Sequence, residues 1–328
     1  MYVPALNKVF KSMQKRHPGA LMYRPSKISI ETGNICNLFC PLCPTNDEEQ
    51  KHVPKGLMSI EDFRTIFDKI RPFVKTLDLF SWGEPFLNKD IGRMIAYAKE
   101  RKPAVRIFVD SNLNVLSEEH VDSVVRNGLD VLKVSCDGVT QRVYEKYRAG
   151  GDLKRVMENI SRLMSKKKEL GSERPRIIWK YLVFKHNQSE VEKAREKALG
   201  MGLEFEDSGM RVDCGKEIFE SVEKSVERDR QWIPDDERYN NYRDLSGGKT
   251  SCEKPWKTLT VNWNGEVLPC GAVYDCGSYS FGNLLKQSFS EVWNGEKFVR
   301  ARKIISGKEG SDPGIICSIC KDNGYQFF

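Results

Sequence analysis

Three cysteines, Cys36, Cys40 and Cys43, stand within eight residues in the segment ETGNICNLFCPLCPT, with three and then two residues between them. Thiolates this close can bind three irons of a cubane [4Fe–4S] cluster and leave the fourth iron without a protein ligand. Catalysis at a metal needs such an open position, as open zinc sites illustrate. A structural zinc knuckle is the other reading, but it wants a fourth ligand nearby, and no Cys or His follows until His52. A second set lies near the end of the chain: Cys252, Cys270, Cys317 and Cys320, separated by seventeen, forty-six and two residues. Four thiolates would close a cluster with no open iron, which suits electron transfer or structural support. A four-cysteine zinc site is the alternative, although zinc ribbons usually pair two CxxC knuckles and only one exists here. Cys276 could replace Cys270 as a ligand or stay free.

The two remaining cysteines stand alone. Cys136 follows Ser135 at the end of a strand-like run and reads as a buried structural thiol. Cys214 falls in the loop after the sixth such run, where a thiol could return a hydrogen atom to a substrate radical. The four histidines show no metal-ligand spacing, and the chain has no phosphate loop, no G-x-S-x-G elbow and no nucleic-acid module.

The elements that must position these thiols follow from periodicity. Strand-like runs occur at KISIE (27–31), TLDLF (76–80), VRIFV (105–109), VLKVS (131–135), IIWKYLVF (177–184) and LEFED (203–207), with helix-period segments between them. Ser59 with Asp62 three residues on marks one helix start, and Gly128 suits a helix end. Six strand-then-helix repeats predict a parallel sheet, here a partial (β/α)6 barrel. Chemistry in such barrels sits in the loops after the strands, and residues 36–43 follow the first strand. The expected organisation is a basic lead-in over 1–26, the partial barrel over 27–207, a charged linker or lid over 208–250, and a small α+β iron–sulfur domain over 251–328. In that last part TLTVNWNGEVLPC reads as a hairpin turning at Asn264-Gly265, and FSEVWNGEKFVRARKII as a short amphipathic helix.

Composition sets the setting. The 328 residues are 39% hydrophobic and 30% charged, enough for one sizeable core plus an appended domain. No apolar run approaches the roughly 18–20 residues of a membrane span, and the opening MYVPALNKVFKSMQKRHPGA lacks a secretory signal, so the expected location is cytoplasmic. Ten cysteines in a reducing compartment point to metal or catalysis rather than disulfides. Net charge is +7, and the first thirty residues carry Lys8, Lys11, Lys15, Arg16, Arg24 and Lys27 with no acid. That stretch reads as a solvated helix face or a basic arm for an anionic partner.

The cysteine motif resembles the CxxxCxxC of radical S-adenosylmethionine (SAM) enzymes, and the resemblance extends over residues 27–207. It implies that the open iron is chelated by the amino and carboxylate groups of SAM, and that an electron from the cluster splits the sulfonium bond to release a 5′-deoxyadenosyl radical. SWGEPFLNKDI (81–91) resembles the family's Gly-Glu-Pro segment, which gives Gly83 and Glu84 the SAM amino group; Trp82 stands where many members have Gly. SNLN (111–114) occupies the place of a Thr-Asn-Gly stretch, which makes Asn112 a cofactor contact. VSCDGVTQRVYEKYRAGG resembles the Ser-x-Asp-Gly segment and the helix after it, so Ser135 and Arg148 become candidates for the SAM ribose or carboxylate. Leu42 replaces an aromatic residue often found before the last cysteine, keeping apolar cover over adenine but losing a stacking contact. The tail resembles a shortened SPASM, or twitch, domain with one auxiliary cluster. Its spacing is similar to that of a dehydrogenase branch acting on aminocyclitol alcohols.

The resemblance implies an oxidoreductase or epimerase. Such an enzyme takes a hydrogen atom from a polar small molecule of sugar or aminocyclitol type and draws electrons from a partner such as flavodoxin or ferredoxin. A peptide-modifying maturase is one rival; the 26 or so residues before the first strand are few for an independent leader-binding fold of roughly 50. A non-enzymatic electron carrier is the other rival, and it would have no need of Gly83, Glu84 or an open site.

Overall fold

The computed structural model describes residues 24–211, 219–242 and 252–324. Six strands lie side by side in chain order and all parallel: β1 (Lys27–Ile30), β2 (Thr76–Asp78), β3 (Arg106–Ser111), β4 (Val131–Ser135), β5 (Arg176–Val183) and β6 (Glu204–Gly209). Each falls within two residues of its apolar run. The crossovers carry helices α1 (Ile60–Ile70), α2 (Ile91–Arg101), α3 (Glu118–Arg126), α4 (Gln141–Tyr147), α5 (Leu153–Glu169) and α6 (Val191–Gly200). Ser59 caps α1 by accepting the Asp62 N–H at 3.0 Å, and Ile60, Phe63, Ile66, Phe67 and Ile70 bury its apolar stripe. Gly128 ends the third crossover helix with φ +74°, a conformation that favours glycine.

Strand alternation decides what reaches the site. In β3, Ile107 and Val109 are buried in the main core, while Asp110 lies on the opposite face. In β5, Trp179, Tyr181 and Val183 are buried, and Lys180 alternates with them. The concave face of the sheet thus carries the few charged residues that sit inside otherwise apolar strands.

The sheet does not close. It continues past β1 into β7 (Thr258–Val261), parallel and in register from Lys27↔Thr258 to Ile30↔Val261, and then into the antiparallel β8 (Val267–Leu268). The architecture is a partial barrel with β6 and β8 as its edges. The expected hairpin forms, with Gly265 at φ +83° and its N–H bonded to the Asn262 carbonyl at 2.8 Å. What periodicity did not reveal is that its first strand joins the barrel sheet. The predicted single helix over 289–305 is two, Phe289–Trp293 and Glu296–Ile305. Gly295 breaks it: its backbone is extended (ψ 162°) and it serves as N-cap of the second piece. Cys136 is fully buried, as expected of a structural thiol. Among the described residues no helix is long and apolar enough to cross a membrane.

Candidate active site

The loops after the strands surround a cavity of about 610 Å³. Cys36, Cys40 and Cys43 line it from the β1 loop, Trp82, Gly83 and Glu84 from the β2 loop, and Asp110, Ser135 and Lys180 from β3, β4 and β5. Backbone bonds shape the cysteine loop: the Cys43 N–H donates to the Cys40 carbonyl at 3.0 Å, and the Phe39 N–H to Ala149 at 2.9 Å. Leu38 N–H points at Cys36 Sγ at 3.4 Å, and Asn112 Nδ2 at 3.7 Å. Burial pushes the Cys36 thiol up to about 12, helped by the nearby Glu84, Cys43 and Cys40. Burial also pushes Cys40 up, to about 11, against the opposing pull of Arg148. Among the described residues no group of three Cys, His, Asp or Glu side chains is arranged to hold a single metal ion. The three thiols instead border a shared space, with two backbone or amide N–H groups aimed at one sulfur, a donor set suited to the separate irons of a cubane.

Gly83 and Glu84 lock the neighbouring loop. Gly83 has φ +83°, and an added Cβ would meet the Gly33 carbonyl oxygen at 2.4 Å and that of Ile35 at 2.8 Å, so no side chain fits. The Glu84 N–H donates to Ile35 O at 2.8 Å. Its buried carboxyl accepts from Ser111 Oγ (2.7 Å) and Phe86 N–H (3.1 Å) on one oxygen and from Asn112 N–H (2.8 Å) on the other. Burial lifts its pKa to about 7, although these three donors pull the other way. A carboxylate has about four acceptor positions, so one stays open.

The polar wall opposite is a chain of charges. Lys180 Nζ and Ser135 Oγ each donate to Asp110 at 2.7 Å, one to each oxygen. Burial alone would raise Asp110, but Lys180, Ser135 and Arg148 outweigh it and hold the carboxyl below its usual range. Asp110 in turn holds the Lys180 ammonium above its usual range. Arg148 donates Nε–H to the buried Asp137 at 2.6 Å and stays charged, its guanidinium next to Cys40. The rest of the cover is apolar. Tyr147, Phe184, Met210 and Ile233 form one cluster against which Cys40 and Leu42 pack, with Tyr147 and Phe184 rings 4.1 Å apart.

The second thiol set gathers away from this cavity. Cys317 and Cys320 sit one turn apart on the helix Ile316–Asp322. Burial drives Cys317 well above its usual value, and Cys270 and Cys252 add to the effect, so these three are electrostatic neighbours. Burial likewise raises Cys270, to about 11. Cys214 lies outside the described residues, as does the side chain of Cys276, together with residues 1–23, 212–218 and 243–251 of the proposed lead-in and lid. The described part of that lid contributes Met210, Arg211 and Asn241 to the cavity.

Sequence reading therefore found the thiols and the loop residues but missed Asp110, Lys180 and Glu31. The first two had a visible signal, a lone charge near the C-terminal end of an apolar strand. Glu31 follows β1, is fully buried, and accepts the Trp82 N–H at 3.1 Å. Burial raises it to about 8, while the N–H groups of Trp82 and Trp263 oppose the rise.

Comparison with known proteins adds a second line of support. The sequence profile of the radical SAM superfamily matches residues 30–174, and that of an iron–sulfur cluster-binding domain matches residues 252–321. The AdoMet-dependent heme synthase of Methanosarcina barkeri is 23% identical over 93% of this chain and 94% of its own. The S-adenosyl-L-methionine-dependent 2-deoxy-scyllo-inosamine dehydrogenase of Niallia circulans is 21% identical over 92% of this chain and 94% of its own. The crystal structure of Streptococcus suis SuiB bound to precursor peptide SuiA shares the fold, with a TM-score of 0.65 at 13% identity, over 95% of this chain and 74% of that one.

Proposed function

From the premise that the chain belongs to the radical SAM superfamily and carries an iron–sulfur domain behind the barrel, we propose that it removes a hydrogen atom from an unactivated C–H of a polar small molecule of sugar or aminocyclitol type. Dehydrogenation or epimerisation follows. Its cofactors are SAM and two iron–sulfur clusters. When bound, they supply one-electron cleavage of the sulfonium and a carbon radical able to take a hydrogen atom.

The observation that carries this reading is that one cavity of about 610 Å³ holds both the three thiols and the Asp110–Lys180 pair. That volume lies within the roughly 300–1,000 Å³ usual for small-ligand sites, and the cofactor takes a large share of it. In this reading Cys36, Cys40 and Cys43 hold the first cluster, and Cys252, Cys270, Cys317 and Cys320 the second. Gly83 and Glu84 shape the loop that receives the SAM amino group. Asn112 steadies the cysteine loop beside it. Ser135 and Arg148 face the ribose and carboxylate, where a guanidinium pairs well. Asp110 and Lys180 offer an acceptor and a donor side by side, which suits a hydroxyl or amine next to the reacting carbon.

Oxidation of a secondary alcohol then balances. The C–H hydrogen would leave as an atom, taken by the carbon radical that SAM bound in the cavity would supply. The O–H proton would go to a base at the polar wall. The remaining electron would be accepted by the cluster that Cys252, Cys270, Cys317 and Cys320 would hold, as the carbonyl forms. The first electron enters from an external one-electron reductant of flavodoxin or ferredoxin type. In the epimerisation branch a thiol, with Cys214 as the candidate, would return a hydrogen atom, no carbonyl would form, and the thiyl radical left behind would be restored by one electron from the same external reductant and a proton from water.

The test uses anaerobically reconstituted protein, a one-electron reductant and a panel of C-deuterated polyols and aminocyclitols. Deuterium in 5′-deoxyadenosine is expected, with a carbonyl product marking dehydrogenation and solvent hydrogen at the same carbon marking epimerisation. Absence of SAM cleavage under every reductant would remove the enzymatic reading.

A further inference from the structure

Trp82 does something that the loop-shaping role of its neighbours does not explain. Its indole Nε1–H donates to the Val273 carbonyl at 3.0 Å, three residues past the auxiliary ligand candidate Cys270. Its ring meets Tyr274 edge-on, with centroids 5.9 Å apart. Tyr274 is buried and donates its hydroxyl to the Thr45 carbonyl at 3.4 Å, two residues past Cys43. The Trp82 backbone N–H is taken by the buried Glu31, which also receives the Trp263 N–H from the hairpin leading to Cys270. Gly271 lies beside Ser81 with room for ordinary contact: a Cβ there would stand 3.6 Å from Ser81 Oγ. Trp82 also lines the cavity. One residue thus touches the cavity and the loop that follows Cys270 with its side chain, and the residue after β1 with its backbone N–H.

We propose that Trp82 is a positioning residue that ties the SAM-side loop 81–84 to the auxiliary-cluster loop 270–274, so that SAM in the cavity is sensed at the second cluster. The geometry leaves little slack. Gly83 sits close against the cysteine loop, where a Cβ would stand 2.4 Å from the Gly33 carbonyl oxygen and 2.8 Å from that of Ile35. Any movement that SAM imposes on 81–84 therefore passes through the indole N–H to Val273 and along the backbone to Cys270. Coupling of this kind is reciprocal: the state of the auxiliary loop sets SAM affinity by the same factor. The proposal rests on the SAM-enzyme reading above.

The experiment compares the holoenzyme with two variants at position 82: Trp82→Phe, and a chain carrying 3-benzothienylalanine there, which keeps the ring's shape and exchanges only the N–H for sulfur. Amide exchange and the EPR signal of the reduced auxiliary cluster are recorded with and without SAM. In the native chain SAM is expected to slow exchange at both 81–84 and 271–274 and to shift the auxiliary signal. In the benzothienyl chain protection is expected only at 81–84, the auxiliary signal is unmoved, and SAM affinity falls about fivefold, the weight of one lost hydrogen bond. A destabilised but unlinked loop would raise exchange without abolishing the SAM-dependent shift, so that shift separates coupling from mere packing. An unchanged response at 271–274 in the benzothienyl chain overturns the proposal. So does a native chain in which SAM protects 81–84 alone. If SAM protects neither segment, the SAM-enzyme reading fails and this proposal fails with it.

Discussion

The two thiol sets differ in what surrounds them, and the difference maps onto two kinds of metal chemistry. Cys36, Cys40 and Cys43 border a cavity that also exposes Arg148, Ser135 and Lys180, so a bound cluster there would have one side facing space and charge. In the second set burial raises Cys270 and Cys317, with Cys252 adding to the first and Cys270 and Cys252 to the second, and Cys320 follows Cys317 by one helical turn. All of this second set comes from the protein, and none of it lines that cavity. Burial raises Cys36 and Cys40 in one set and Cys270 and Cys317 in the other, so ligation by any of these four would displace a proton. On the proposed reading, one site would bind something more and the other would be complete.

The strongest way to break this comparison is to remove one thiol from each set. Cys40→Ala takes a ligand from the open set, and no fourth cysteine lines that cavity among the described residues. SAM cleavage should be lost by at least about a thousandfold, and iron should fall from about eight to about four per chain. If the variant still cleaves SAM at the native rate, the first set is not the SAM site. Cys317→Ala should also halve the iron, but it should leave reductive SAM cleavage in place and abolish net dehydrogenation, because the second electron then has no acceptor. Equal loss of both activities from the two variants would erase the distinction. Loss of bound zinc rather than iron from the second set would make that site structural.

Lys180→Met asks whether the open set faces the substrate. Losing a charge-assisted bond to a hydroxyl or amine should lower kcat/KM by roughly 10–100-fold. SAM-dependent spectral change in the cluster should persist. The substitution leaves Asp110 buried without its cation, so stability should fall by roughly 3–5 kcal/mol, and Asp110→Asn in the same chain should return part of it. A double variant that regains stability but not kcat/KM places the pair in recognition; one that regains both places it in folding alone.

The parallel order of the six strands was legible because short apolar runs alternate with helix-period stripes, as in Val131–Ser135 after the helix ending at Arg126. The thiols were legible because ligand spacing is local. Asp110, Lys180 and Glu31 are harder, because what makes them a site is pairing between strands far apart in sequence. Lys180 meets Asp110 across seventy residues, and nothing near either one announces the partner. The docking of β7 beside β1 is harder still: Thr258–Val261 pairs with Lys27–Ile30 by backbone bonds that carry no side-chain signature. The split at Gly295 was readable in principle, since glycine after asparagine favours ending a helix, but the apolar stripe on either side masked it.

The last expected effect, one on stability alone, concerns the seam between the two sets, where Glu31 is fully buried. Its carboxyl is raised from 4.5 to about 8 by burial, against the N–H groups of Trp82 and Trp263. Between those values the unfolded chain has released the proton and the folded chain still holds it. Stability attributable to this residue therefore falls as pH rises from about 4.5 to about 8, by at most about 1.4 kcal/mol per unit, and is flat beyond. Its outer oxygen has no hydrogen-bond partner, so the neutral form is the one that suits the site. Glu31→Gln keeps the shape and an acceptor for the Trp82 N–H but cannot ionise. The two holoenzymes should melt at similar temperatures near pH 5, and the native chain should lose ground to the variant steadily up to pH 8. Other titrating groups, Glu84 among them, are common to both chains and cancel in the difference. Parallel melting curves across that range would mean that Glu31 is ionised in the fold, held by its two backbone donors. The seam would then carry a negative charge between two clusters that are themselves anionic, and the link through Trp82 would be working against repulsion.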